Sequence, residues 1–239
     1  MINYIDVLSP QEAAKARETL TTLKADWIDR GQFPDLGMFF TLGAASYMDV
    51  SGTTAENYIA RKQKCNPILE GHFGWLYSSV RHALEGVLGG KAYFDPALAL
   101  PGFHIWLAPS IFVKPNASIH FDLQHRYLRW DDRDRADFAK VFSFTLPICL
   151  PRAGGGLNTW DISHEESESM FILGKITTVE DLTFLRPKIV FPYSVGTLAM
   201  HWGTKLHQIA PVDRVESSDA RITLQGHGVW CNDQWLLYW

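Results

Sequence analysis

The chain has 239 residues, of which 46% are hydrophobic and 20% charged, and its formal net charge is −4. That length and balance support one folded domain with a sizeable core and exclude global disorder. No block of lysine or arginine occurs, which argues against a nucleic-acid binder or an anionic-membrane binder.

The opening stretch MINYIDVLSPQEAAK has neither the basic nor the apolar region of a signal peptide. No apolar run is long enough to cross a bilayer, so a cytoplasmic protein is expected. Cys65, Cys149 and Cys231 are odd in number and far apart, which fits a reducing compartment better than a disulfide framework. Ser9-Pro10-Gln11-Glu12 is a capping box with proline at the first helical position, and it predicts a helix through Leu20, Leu23 and Trp27 that stops near Gly31. Asn66-Pro67 predicts a second start. After it, Leu69, Phe73, Leu76, Val80, Leu84 and Val87 recur at spacings of three and four, and Gly89-Gly90 ends the run. From about residue 92 the period becomes two. Segments such as FHIWLAP, SIHFD, VFSFTLPICL, SMFILG, KIVFP, GTLAMHW and ARITLQGHGVW then predict about a dozen short strands. Two helices followed by short strands predict an antiparallel sandwich or barrel with helices on one face. The expected organisation is one domain, residues 1–239, with a helical part (1–91) and a β core (92–239).

Within SIHFD, residues i and i+2 of a strand share a face, so His120 and Asp122 are expected side by side. A buried carboxylate needs a cation or hydrogen bonds to stay charged. His207, in the short strand Leu206-His207-Gln208-Ile209, is available as a second imidazole. Two histidines and one carboxylate on one side of a metal leave the opposite positions open, the pattern of non-haem Fe(II) oxygenases. Fourteen residues on, Arg221 and Thr223 again share a face, and a guanidinium fork beside a hydroxyl suits a carboxylate.

The order His-x-Asp, distal His, then Arg-x-Thr resembles the Fe(II)/2-oxoglutarate-dependent oxygenases. PRAGGGLNTWD (151–161) and the glycine-bearing approach YSVGTLAMHW to the distal histidine add to the likeness, which spans roughly residues 100–230. The resemblance implies a mainly β fold with N-terminal helices, a double-stranded β-helix (jelly-roll, cupin-like) barrel. It implies that His120, Asp122 and His207 hold Fe(II), and that Arg221 with Thr223 binds the far carboxylate of the cosubstrate 2-oxoglutarate. It also implies O2 as oxidant, and a small-molecule substrate such as an amino acid or a biosynthetic intermediate. Related halogenases lack the carboxylate that Asp122 supplies, so the resemblance implies hydroxylation or another oxidation without halide transfer. Desaturation, epoxidation and ring closure stay open.

Other constellations are weaker. His120, His125 and Glu165 or Glu166 would form a competing metal set, but SHEESES (163–169) reads as a solvated loop and nothing fixes a general base for zinc hydrolysis. Parity puts His125 on the face opposite His120. His104 reads as a core histidine or a cosubstrate contact, His201 as structural, and His72, His82 and His164 as surface. His227 shares the face of Thr223 if Gly226 and Gly228 leave the strand regular. Arg126 and Arg129, in RYLRWDDRDRADF, belong to an exposed turn or a lid. FPDLGMFFTLGAASYMDVSG (33–52) is core or pocket wall. A non-catalytic metal- or ligand-binding module is the alternative from another class, since fold does not imply function, and an oxygenase acting on a protein side chain is a further alternative.

Overall fold

The computed structural model describes residues 2–31, 38–51, 54–108, 111, 113–114, 117–130, 135–152 and 154–239. In chain order its strands are β1 (Ile2–Asp6), β2 (Ile28–Asp29), β3 (Phe39–Leu42), β4 (Ala92–Phe94), β5 (Gly102–Leu107), β6 (Ala136–Cys149), β7 (Gly154–Ser163), β8 (Ile189–Pro192), β9 (Thr197–Trp202), β10 (Lys205–Val212), β11 (Ala220–Cys231) and β12 (Gln234–Tyr238). The α-helices are α1 (Pro10–Thr22), α2 (Ser46–Asp49), α3 (Glu56–Leu88) and α4 (His164–Ile172). Among the described residues, the strands form a nine-stranded sheet whose main path is β1-β9-β6-β11-β5-β3-β2, and a three-stranded sheet β10-β7-β8.

Period-two alternation splits each central strand between two environments. On one face, Phe103 and Ile105 of β5, Phe142, Phe144 and Leu146 of β6, Leu198 and Met200 of β9, and Ile222 and Leu224 of β11 are buried in one cluster. That cluster includes Ala13, Ala16 and Leu20 of α1 and Leu69, Phe73, Leu76, Val80 and Leu84 of α3. The helices therefore cover the outer face of the large sheet, and each fully buried side chain of this size contributes about 1.5–3 kcal/mol. The other face, which carries Arg221, Thr223 and His227, is turned inward. Gly226 and Gly228 do not interrupt β11 between Thr223 and His227, where its pairing with β6 is in register. A Cβ at Gly226 would lie 2.5 Å from the Phe144 ring, and one at Gly228 would overlap the Phe142 ring.

α1 keeps the predicted start: Ser9 Oγ accepts from Glu12 N, and the Glu12 side chain accepts from Ser9 N. It ends at Thr22, and a 3-10 turn (Lys24–Asp26) carries the chain on to β2. α3 departs from expectation. It begins ten residues before Asn66, with Pro67 inside it. Asn66 caps nothing, because its side chain bonds Leu98 O and Leu100 N across the interface. Phe73 leaves helical geometry between Gly71 and Gly74, the weakest helix formers of that stretch. Gly89, at φ 69°, ends the helix where expected.

Three further differences matter. The N-terminal part is helix-rich but also supplies β1, β2 and β3 to the large sheet. The segments read as a solvated loop (163–169) and a strand (169–174) overlap α4, which Ser163 caps by accepting from Glu166 N. Acidic Glu165 and Glu166 in the first turn favour that helix through its dipole. The two sheets are not closed into a barrel: no backbone ladder among the described residues joins them, and they meet through side chains such as Phe39 and Trp106 with Val212, and Ile2 and Ala199 with Leu157. The double-stranded jelly-roll layering is present without closure. No helix is long and apolar enough to cross a membrane among the described residues.

Candidate active site

The segment just before Asp122 runs beside β10. His120 N donates to His207 O and His207 N to His120 O, both at 3.0 Å, an antiparallel bridge outside the named strands. Residues opposed this way project from the same face. Ile119 and Phe121 pack on the other side with Leu206, Trp160 and Ile162, under α4 and the turn that holds Leu182. His120 and Asp122 are thereby turned inward, as their parity predicts.

The ligand atoms of His120, Asp122 and His207 all lie within 4.8 Å of one another. Asp122 Oδ1 is 3.7 Å from His120 Nε2 and 3.5 Å from His207 Nε2. The ring centroids of the two histidines are 4.4 Å apart. Their Nδ1 atoms face backbone carbonyls two residues back, Ser118 O at 3.0 Å and Lys205 O at 2.8 Å. A carbonyl only accepts, so each Nδ1 carries the proton and each Nε2 presents a lone pair. Burial pushes both imidazoles below their ordinary range, which keeps them neutral at pH 7, although His120, with 42% of its side chain exposed, is the more open. Burial pushes the Asp122 carboxyl up, but His207, His227, His120 and His201 together hold it well below the usual carboxylate range. The result is two lone pairs and a carboxylate oxygen facing one another with no proton between them. A divalent cation is the group that such a donor set fits.

Arg221 occupies the same inner face, 3% exposed. Its Nε and Nη1 are buried without a hydrogen-bond partner, and its guanidinium lies 5.9 Å from the centroid of the Tyr193 ring. Burial pushes the guanidinium pKa down, against Tyr193. Thr223, fully buried, is two positions on and accepts from Gln225 Nε2 at 3.3 Å. Unsatisfied donors on a buried cation are costly. A carboxylate would supply the missing charge and the missing acceptors together.

Sequence reasoning missed some residues of this site and left the roles of others, His104 and His227, open. His201, read as structural, faces inward from β9 with Nε2 3.7 Å from Asp122 Oδ2. The alternation of buried Leu198 and Met200 toward the helices was the available signal. His227 keeps the parity of Thr223, accepts or donates at 3.0 Å to Ser143 Oγ, and is pushed down to about 4 by burial. Tyr193, whose phenol burial pushes up to about 12, bonds the Thr145 side chain beside Arg221. No local pattern marks it. His104 meets Tyr47 Oη at 2.5 Å through Nε2, and Phe39 and Trp106 stack beside it at 3.8 Å. Within 33–52, then, residues 39–49 supply both core and inner wall, and 33–37 lie outside the described residues. Gln124 Nε2 donates to Asp122 Oδ1 at 3.0 Å.

The competing metal set does not assemble. His125 stacks on Phe138, and Glu166 pairs with Arg186. Arg126 reaches Glu168 on α4 at 3.6 Å, and His164, 14% exposed, packs against Phe121, so it is not a surface residue. His72 and His82 are exposed. A surface recess of about 380 Å³ between α3 and residues 94–100 contains none of these site residues.

No protein-family model matches the chain, and no curated protein matches it. Solved structures do. An N-substituted L-amino acid dioxygenase from Burkholderia ambifaria AMMD, in complex with alpha-ketoglutarate, superposes with a TM-score of 0.56 at 13% identity, over 99% of this chain and 85% of that one. The non-heme alpha-ketoglutarate-dependent epimerase SnoN of nogalamycin biosynthesis gives 0.52 at 11% identity, over 95% and 76%. The same epimerase in complex with Fe3+, alpha-ketoglutarate and a nogalamycin compound gives 0.50 at 10% identity, over 95% and 78%. These structural neighbours are alpha-ketoglutarate-dependent or alpha-ketoglutarate-bound enzymes, one of them holding Fe3+, and the chain shares their jelly-roll fold.

Proposed function

We propose that this chain is an Fe(II)- and 2-oxoglutarate-dependent dioxygenase that hydroxylates a small molecule. The observation that carries the proposal is a buried guanidinium with two unpaired nitrogens on the same inner face as a His-Asp-His trio whose facing atoms are free acceptors. A bare metal-binding module or a zinc hydrolase has use for the trio but none for Arg221. The neighbours' bound alpha-ketoglutarate and iron support the same pairing.

His120 and His207 would hold the metal through Nε2 and Asp122 through Oδ1, their Nδ1 carbonyl bonds fixing tautomer and ring orientation. When bound, iron with 2-oxoglutarate and O2 supplies the oxidation: one oxygen atom enters a substrate C–H bond, the other enters succinate, and CO2 leaves. Arg221 and Thr223 bind the far carboxylate of 2-oxoglutarate, with Tyr193 against the guanidinium. The Tyr47–His104 pair and the stacked Phe39–Trp106 rings form the apolar, hydrogen-bonding wall that faces a substrate. The absence of a basic block favours a free small molecule over nucleic acid.

Anaerobic addition of Fe(II) and then 2-oxoglutarate tests this. A weak visible charge-transfer band is expected, followed by substrate-dependent succinate release once O2 and a metabolite pool are added. No band and no succinate, or Zn(II)-supported hydrolysis without O2, would overturn it.

A further inference from the structure

Asp122 is approached from two sides. Its Oδ1 accepts from Gln124 and faces the Nε2 atoms of His120 and His207. Its Oδ2 faces a different imidazole, His201, 3.7 Å from Nε2. The His201 side chain is 13% exposed, and its ring centroid is 5.1 Å from that of His207. β9 and β6 place it opposite Ser143, which in turn opposes His227 on β11, so the three inner-face residues stand in a row across adjacent strands. His201 Nδ1 is buried and has no hydrogen-bond partner. On its other side, through Nε2, the ring faces the second oxygen of Asp122.

We infer that His201 is a positioning residue: it donates from Nε2 to Asp122 Oδ2 and so restricts the carboxylate to one oxygen, Oδ1, toward the metal. The inference rests on the iron-site reading above. Carboxylates bind cations through one oxygen or two. An octahedral ion with three protein ligands keeps three positions, two for a chelating keto acid and one for O2. A carboxylate free to swing both oxygens onto the ion would occupy one of them. Residues that hold a ligand in this way alter metal affinity by about 10–100-fold when removed. His201 is not itself grouped with the three convergent ligand atoms, so its contribution is to orient Asp122.

The test uses the full chain and Co(II), whose visible absorption reports coordination number without turnover. His201→Phe keeps a ring of similar bulk against His207 but has no donor, and His201→Gln restores one. Expected for His201→Phe are about 10-fold weaker Co(II) binding, a changed visible spectrum and weaker 2-oxoglutarate binding at saturating Co(II), with ligand-free thermal unfolding no lower than the parent's. His201→Gln should recover most of the affinity and the parent spectrum. If His201→Phe does not fold, His201→Ala carries the same comparison. Parent-like affinity and spectrum in the donor-free variant, or a Gln variant no better than it, would overturn the role of His201 alone. A parent protein that binds no Co(II) would overturn the metal site itself.

Discussion

Replacing Arg221 with methionine separates two consequences of one buried charge. Without ligand, the guanidinium is 3% exposed with Nε and Nη1 unpartnered. An unsatisfied buried polar group costs about 1–3 kcal/mol. The contact with the Tyr193 ring, 5.9 Å from the guanidinium, offsets part of that, on the order of 1 kcal/mol. Methionine fills a similar volume without charge, so the ligand-free protein should gain about 1 kcal/mol, or roughly 2–4 °C in Tm for a chain of this size. With 2-oxoglutarate the sign reverses. Hydrogen bonds to charged groups contribute about 1.5–3 kcal/mol each. Losing one to two of them, about 3 kcal/mol, weakens 2-oxoglutarate binding by roughly 100-fold. Differential scanning calorimetry with and without 2-oxoglutarate, in the presence of Co(II), reads both effects. The parent should be shifted up by the ligand and the variant should not. A variant that is destabilised when ligand-free, or that binds 2-oxoglutarate as the parent does, refutes the argument that this charge awaits a carboxylate.

Asp122→Ala removes the anionic donor from the trio, so Co(II) affinity measured by calorimetry should fall at least 100-fold and succinate formation should cease; unchanged turnover would remove Asp122 from the ligand set. Asp49 holds Arg30 through a paired contact at 2.5 and 2.9 Å, with Arg61 and Ala45 N on the same carboxylate. Asp49→Asn leaves the buried Arg30 without its counter-charge and should cost about 3 kcal/mol in urea unfolding; a loss below about 1 kcal/mol would show that the cluster is screened. Gly228→Ala drives a Cβ into the Phe142 ring and should lower stability by about 1–3 kcal/mol, seen as a Tm drop of several degrees, with Co(II) affinity unchanged. A Tm equal to the parent's would mean that the ring moves freely.

Which side chains of the candidate site share a face was readable before any fold. His120 with Asp122, and Arg221 with Thr223, share faces because a strand repeats every two residues, and that rule needs no tertiary knowledge. The capping box of α1 and the Gly89 stop of α3 were legible for the same reason: both depend on atoms within a few residues. α3 was misjudged at its start because an Asn-Pro pair looks like a cap, whereas Asn66 is committed to Leu98 and Leu100 some thirty residues away. The segment 169–174 was misjudged because its apolar run is too short for periodicity to tell strand from helix.

Local alternation determined which side chains could share a face, and the composition determined that there would be a core to hold them. The sequence alone did not determine that His207 opposes His120 across a backbone bridge, that His201 stands behind Asp122, or that Tyr193 lies against Arg221. Those neighbours come from strands paired across long stretches of chain. Their register is set by how the two faces of each sheet bury their apolar halves, and that energy exists only once the sheets are packed.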